Sequence, residues 1–355
     1  MNLPAELSFV HDQRAVQVVF GAGTSRQLAG ELDHLGPRRV ALIGSARYAG
    51  AAEALLGARS ALRIDNPLIH TPREQIDEVH TRAVEAGVDG AVAVGGGSAI
   101  GLAKALALRM RIPVLAVPTT FSGSEMTRVW GVTDEGVKTT GKDVIVAPRT
   151  VIYDPDLVAT LPARTAVPSA FNAVAHAVEA LYAPDRTPVA DLLAKEAVRT
   201  VCTALPGLAE GRPDAAGKVL YGAWLSGMCL DSTMMGLHHK LCHVLGGTLG
   251  LPHAQTHTVV LPHVLAFNAA GAPGAVAALR EALEAAEPWT ALHDLIAVTG
   301  APRALRELGM REEDIDRVVD VVLAAPYANP TPVDGAGLRA LLVRAWAGAP
   351  PRTDA

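Results

Sequence analysis

Asn172 and His176 stand four residues apart in a run of helical periodicity, so one helix face carries both. His239 and His243 repeat that spacing in a later helical stretch, Leu237 to Leu245, which Gly246-Gly247 ends; Pro252-His253 opens the next segment. Imidazoles brought together from three elements can do two kinds of chemistry. They suit borderline divalent metals, and they act as proton donors and oxyanion partners. A mononuclear metal site normally includes an anionic ligand, whereas Asn172 is neutral and an amide oxygen binds first-row metals weakly. At this level both chemistries stand.

A second constellation is built for binding. Asp89 to Val94 reads as a buried strand that runs into Gly95, Gly96, Gly97 and Ser98 and then into a helix through Lys104. Glycines without Cβ let backbone approach a pyrophosphate, the helix start aims free N–H groups at the same anion, and Ser98 adds a hydroxyl. The alternative is a plain tight strand-to-helix turn. The next strand, Val114 to Val117, ends in Pro118-Thr119-Thr120-Phe121-Ser122-Gly123-Ser124-Glu125. The hydroxyls of Thr119, Thr120 and Ser122 suit a ribose or diphosphate, and Ser122 or Ser124 also suits a helix cap.

The elements that must position these groups divide the chain. Val16 to Phe20 and Arg39 to Ile43 are further strand-like runs, ending at Gly21-Ala22-Gly23 and Gly44-Ser45, with Thr24 or Ser25 placed to cap a helix through Leu35. Strands alternating with helices predict a parallel sheet with crossover helices, whose ligands sit at the carboxyl ends of the strands. After Val151-Ile152-Tyr153-Asp154-Pro155 strand-like runs stop, and long 3.6-residue periodicities such as Ser169 to Leu181 and Val189 to Leu205 take over. The expected fold is an α/β Rossmann-like domain with a parallel sheet over residues 1–160, then an all-α helical domain over 161–355, with the active site in the cleft between them.

Bulk properties exclude several classes. At 355 residues two domains are expected. A net charge of -5 with no basic run argues against nucleic acid. Cys202, Cys229 and Cys242 have no metal-type spacing and fit a reduced cytoplasm. Met1 to Val10 lacks the apolar core of a signal peptide. Ala254 to Leu279, free of Asp, Glu, Lys and Arg, carries two prolines, two glycines and two histidines and is no membrane span. The tail Ala349 to Ala355 reads as a frayed end.

On these residues the chain resembles the iron-containing (group III) alcohol dehydrogenase family over nearly its whole length. The resemblance rests on Gly95-Gly96-Gly97-Ser98, Pro118-Thr119-Thr120, Gly123-Ser124-Glu125, Asp154-Pro155 and Leu161-Pro162. It implies a nicotinamide nucleotide, a dimer, and family metal-ligand positions at Asn172, His176, His239 and His253, with His243 near the nicotinamide. Two departures, Asn172 for the ligand Asp and Gly101 for an Asp after the glycine turn, narrow it. With Gly123 to Thr127, Trp130 to Thr133, Lys138 to Gly141 and Tyr327 to Val333, they resemble the branch that reduces maleylacetate to 3-oxoadipate without a metal.

That resemblance implies a small dicarboxylate as substrate and no nucleic-acid or membrane partner. His243, His176 and His239 would be catalytic; His253, Lys240, His238, Arg128, Tyr327 and Asn172 would hold the substrate. Lys240 is otherwise a solvated lysine on the outer helix face. Gly44-Ser45-Ala46-Arg47 offers no acid to repel a 2′-phosphate and supplies Ser45 and Arg47, so NADPH is expected beside NADH. A metal-dependent reductase of small aldehydes, with Asn172 as a weak ligand, is the other enzyme reading, and a nucleotide-binding redox sensor is the non-catalytic one.

Overall fold

The computed structural model describes residues 9–12, 15–135, 137–325 and 327–353. The expectations for Met1 to Ser8 and for Asp354 and Ala355 lie outside them. The chain forms two compact units: one ends at Leu161, and the other begins at Pro162 and includes residues 9–12.

The first unit holds strands β1 (Gln17–Phe20), β2 (Val40–Gly44), β3 (Ser60–Asp65), β4 (Gly90–Gly95), β5 (Val114–Pro118), β6 (Val129–Asp134), β7 (Val137–Lys142) and β8 (Thr150–Tyr153). Its helices are α1 (Leu28–Leu35), α2 (Ala46–Leu56), α3 (Arg73–Glu85), α4 (Gly97–Met110) and the single turn α5 (Pro155–Val158). Six strands make one parallel sheet in the order β1-β8-β5-β4-β2-β3, while β6 and β7 form a separate antiparallel hairpin. Alternation along the strands covers both faces, as a parallel sheet requires. Ala41, Ile43, Ala91 and Ala93 pack with α3 and α4; Val40, Leu42, Val92, Val94, Leu115 and Val117 pack with α1 and α2.

From β2 the chain moves outward to β3, crosses back to β4, and then moves the other way to β5. The strand order therefore reverses between β2 and β4, and that is where an α/β sheet opens a crevice at its carboxyl end. Gly44-Ser45 and Gly95-Gly96-Gly97 are the two turns at that point.

Several local expectations need correction. The sequence suggested neither β3 nor the β6–β7 hairpin. Thr24 and Ser25 do not cap α1. They lie in a short 3-10 turn, where the Thr24 hydroxyl donates to Gly21 O and Asp154 accepts from the amides of Gly23 and Ser25. Neither Ser122 nor Ser124 caps a helix; Gly123 precedes one 3-10 turn, Ser124–Met126, with no side-chain cap. What fixes this loop is Lys104 of α4, which is buried and whose ammonium donates to Ser124 O (2.6 Å), Thr127 O (2.8 Å), Thr127 Oγ1 (2.9 Å) and Val129 O (2.9 Å).

The second unit is helical among its described residues: α6 (Ala163–Ala180), α7 (Pro188–Ala209), α8 (Pro213–Ser232), α9 (Leu237–Leu249), α10 (His253–Asn268), α11 (Pro273–Leu283), α12 (Pro288–Val298), α13 (Asp314–Leu323) and α14 (Gly335–Ala347). α9 does not stop at Gly246-Gly247. It runs to Leu249 and ends at Gly250, whose φ of 69° supplies the left-handed cap. Neither Gly246 nor Gly247 has positive φ, so neither breaks the helix. Leu237, Leu241 and Leu245 of α9 join Val260 and Val264 of α10 and residues of α13 and α14 in one core, which sets the facing sides of α9 and α10. The uncharged stretch after Ala254 is divided between α10 and α11, and among the described residues no helix is long and apolar enough to cross a membrane.

Candidate active site

Six imidazoles gather where α6, α9 and α10 meet. The rings of His176 and His239 stack with centroids 5.0 Å apart. His257 lies 4.9 Å from His239, 4.8 Å from His238 and 4.4 Å from His253. His243 sits 6.3 Å from both His239 and His253. Exposure falls steadily through the group. His243 and His253 are open, His239 and His176 are nearly closed off, and His238 and His257 are 0% exposed. Asn172, one turn before His176, is also buried, and its Oδ1 has no hydrogen-bond partner among the described residues.

Two residues of this group were missed by sequence reasoning. His257 follows His253 by four on α10, the spacing that singled out His239 and His243. Glu179 follows His176 by three, and residues three and four apart share a helix face. Glu179 is fully buried, and its Oε2 lies 2.6 Å from His239 Nδ1. Its carboxylate also accepts from the amides of Gly236 (3.0 Å), His238 (2.9 Å) and His239 (3.3 Å), so it caps the N-terminus of α9 as well. A Cβ on Gly236 would meet Ala328 O at 3.0 Å and Glu179 Oε1 at 3.1 Å, so the glycine makes room for that approach. Burial alone would push the Glu179 carboxyl up. The His239 N–H, the nearby imidazoles and the His238 amide outweigh it and hold the group below the ordinary value.

Three of the buried imidazoles, His176, His238 and His257, are held neutral. Burial, and then the neighbouring rings, drive His176 and His257 well below the usual histidine range. Burial takes His238 down to about 3 against the pull of Glu179. His238, expected to hold substrate, is fully buried here and lies behind His257, with its Nε2 2.8 Å from His257 Nδ1. Burial also removes His176 as a stored proton. Lys240 is half-buried on α9. Tyr327 packs against the core that α9, α10, α13 and α14 share, and its hydroxyl is buried without a partner among the described residues. Its loop is tied to α10 through Asn329 and Asn268, whose amides exchange bonds of 2.7 and 3.0 Å.

A metal bound as the resemblance implies would need one donor atom each from His176, His239 and His253 around a common point. Among the described residues, the one set of three His, Cys, Asp or Glu donors that closes within 4.8 Å is His238, Cys242 and His257. There the facing nitrogens, His238 Nε2 and His257 Nδ1, are spent on each other, and burial keeps the Cys242 thiol protonated. With a neutral Asn172 as the remaining position, these residues do not fit a dication.

In the first unit the turns at the carboxyl end of the sheet do suit a diphosphate. A Cβ on Gly95 would meet Ala99 Cβ at 2.8 Å, and one on Gly96 would meet Thr120 Cγ2 at 2.8 Å, so those glycines are fixed by packing. Gly97 faces open space at the start of α4, beside Ser98. Thr119 N donates to Gly95 O, which joins the two loops, and Thr120 Oγ1 and Ser122 Oγ are buried without partners among the described residues. Ser45 precedes α2 without a side-chain cap bond. Arg47 is exposed but engaged: its Nη2 donates to Thr160 Oγ1 at 2.8 Å. Arg128 is half-buried at the start of the hairpin. A Cβ on Gly101 would come within 2.8 Å of Thr71 Oγ1, so an Asp there would have to displace Thr71.

A parallel nucleotide-type sheet followed by a helical unit with a histidine cluster defines a class of two-part dehydrogenases. Residues 15–155 match the family described as iron-containing alcohol dehydrogenase, and residues 166–346 match its C-terminal part. This chain belongs to that family. It is 47% identical over 351 residues to a maleylacetate reductase of Pseudomonas knackmussii, covering 97% of this chain and 99% of that one. A crystal structure of a maleylacetate reductase from Agrobacterium tumefaciens superposes with a TM-score of 0.94 at 40% identity, covering 98% of this chain and 100% of that one. A structure described as a putative alcohol dehydrogenase, from Ralstonia eutropha, gives 0.95 at 48%, with the same coverage.

Proposed function

We propose that this chain reduces the carbon–carbon double bond of maleylacetate to give 3-oxoadipate, with NADH or NADPH as reductant and no metal. The observation that carries this reading is the buried imidazole cluster: His176 and His257, kept neutral by burial, and His239, held by Glu179, each have a ring nitrogen without a partner among the described residues, and the position four before His176 is the neutral Asn172. The likeness to maleylacetate reductases over nearly the whole chain supports the substrate.

The nicotinamide nucleotide supplies a hydride to the alkene carbon β to the ketone. Negative charge then gathers on the ketone oxygen, and N–H donors must meet it. His239, oriented by Glu179, and His176 stand in that role. His243, at the exposed end of the cluster, is the group placed to exchange a proton with water and deliver it to the α carbon. Asn172, His253, Tyr327, Lys240 and Arg128 are assigned to the two carboxylates, the last two as cations, and His238 acts through His257. Gly95, Gly96, Gly97, Ser98, Thr119, Thr120, Ser122 and Ser45 are assigned to the nucleotide. Arg47 serves a 2′-phosphate only if it leaves Thr160, so its preference for NADPH is modest.

Loss of NADPH absorbance with maleylacetate, and none with simple aldehydes, is the expected assay result. Aldehyde reduction that appears only with added iron or zinc would replace this reading with a metal-dependent alcohol dehydrogenase. We also propose a homodimer, since β1 is a sheet edge, working in the cytoplasm. Sedimentation at the mass of one chain, or recovery outside the cytoplasmic fraction, would refute these two points.

A further inference from the structure

The unit β2–α2–β3 ends in a charged pair that the glycine turns leave unused. Asp65 closes β3 in register with Gly44, and Arg63 stands in register with Leu42, so both charges lie on one face of the sheet. Ile64 between them points to the other face, into the core with α3 and α4. Arg63 Nε donates to Asp65 Oδ1 (3.0 Å), and its Nη1 donates to Glu53 Oε2 of α2 (2.7 Å). Asp65 Oδ2 and Arg63 Nη2 make no hydrogen bond among the described residues. All three side chains are partly exposed.

Three features suit this pair to a ribose. In a dinucleotide-binding βαβ unit, the acid or arginine that meets the adenosine 2′ position stands about twenty residues after the glycine turn, at the carboxyl end of the next parallel strand. From Gly44-Ser45 through α2 to Asp65, the spacing and the strand pairing follow that plan. Gly44 has no room for a side chain, because a Cβ would lie 2.5 Å from Val94 O, so the strand between Asp65 and the turn after β4 ends bare. Asn66, with a φ of 57°, turns the chain directly after Asp65 and leaves the carboxylate at the strand end. In the order β5-β4-β2-β3, a diphosphate at the β4 turn leaves the ends of β2 and β3 for the adenosine half.

We infer that Asp65 and Arg63 are specificity-determining residues that read the 2′ position of the nucleotide's adenosine ribose. This deepens the proposed function and rests on it for the nucleotide. Asp65 Oδ2 accepts from the ribose hydroxyls of NADH in a charge-assisted bond. The same carboxylate repels the 2′-phosphate of NADPH. Arg63 Nη2 meets that phosphate and offsets the repulsion, so both nucleotides enter and NADH is favoured. Glu53 draws the guanidinium toward α2 and limits its reach. Arg47, held by Thr160, has the lesser part.

The deciding quantity is kcat/KM with NADPH over kcat/KM with NADH, in which a general loss of folding or of chemistry cancels. Asp65→Asn should move this ratio at least about tenfold toward NADPH, and Arg63→Met at least about tenfold toward NADH. The same two shifts should appear in the Kd values of NADH and NADPH, read from nucleotide fluorescence with no substrate present. An unmoved ratio in both variants, shifts of the opposite sign, or a shift produced only by Arg47→Met would overturn the inference while leaving the reduction in place. Both Kd shifts in an enzyme inert toward maleylacetate would uphold the inference and overturn the proposed reaction.

Discussion

His239 Nδ1 donates to Glu179 Oε2 across 2.6 Å, and neither side chain is open to solvent. The carboxylate therefore fixes which nitrogen of the ring is left for the site, Nε2, and ties α6 to the start of α9. One buried anion thus orients an imidazole and closes a helix end.

Glu179→Gln keeps the size and part of the capping but loses the charge. We expect kcat to drop about 10- to 100-fold, the range seen when a carboxylate behind a functional histidine is lost, with little change in KM. The stability sign also follows. A carboxyl held below its ordinary value of 4.5 stabilises the fold above that pH, and the stabilisation is lost as pH falls through the depressed value. Urea midpoints of wild type should therefore fall more steeply than those of Glu179→Gln below about pH 4.5. Equal kcat would show that the residue is only a cap.

His243→Ala should lower kcat far more than it raises KM, because the proposed role lies in the transition state. Near-normal turnover would remove His243 from the chemistry.

His263 lies on α10 outside the cluster, buried, with neither ring nitrogen partnered among the described residues. Burial, with help from His293 and Arg344, lowers it to about 3. Between that value and 6.5 the unfolded chain binds the proton that the folded chain refuses, so stability falls as pH drops through this window. From pH 7 to pH 5 this residue should cost about 2 kcal/mol. His263→Leu should lose that much less stability than wild type over the same interval, with unchanged activity at pH 7. Parallel urea midpoints would contradict it.

The glycine turn separates packing from binding. Gly95→Ala and Gly96→Ala collide with Ala99 and Thr120 and should cost about 1–3 kcal/mol in stability. Gly97→Ala meets nothing in the protein, so the fold should hold while NADPH binding weakens tenfold or more. Unchanged NADPH affinity would reduce the motif to a tight turn.

The parallel sheet was legible because buried strands ending in glycine turns leave an unmistakable pattern from Val40 to Pro118. β3 was not, since Ser60-Ala61-Leu62-Arg63-Ile64-Asp65 is only partly buried at the sheet edge and carries charges. The end of α9 was misplaced because paired glycines are a weak stop when tertiary packing continues the helix. Asn172, His176, His239, His243 and His253 were readable from spacing. Glu179 and His257 share that spacing, but a single acid amid apolar residues does not announce its partner, and the bond to His239 exists only once α6 and α9 pack together. The blocked position of His238 depends likewise on the packing of α9 against α10.

The central claim is that neutral imidazoles, with no ion, carry the charge that develops during reduction. Metal content of purified enzyme, measured together with maleylacetate reduction before and after chelation, tests it most directly. The account predicts far less than one iron or zinc per chain and a rate that chelation leaves unchanged. One tightly held ion per chain, with activity lost on its removal and regained on its return, would contradict it.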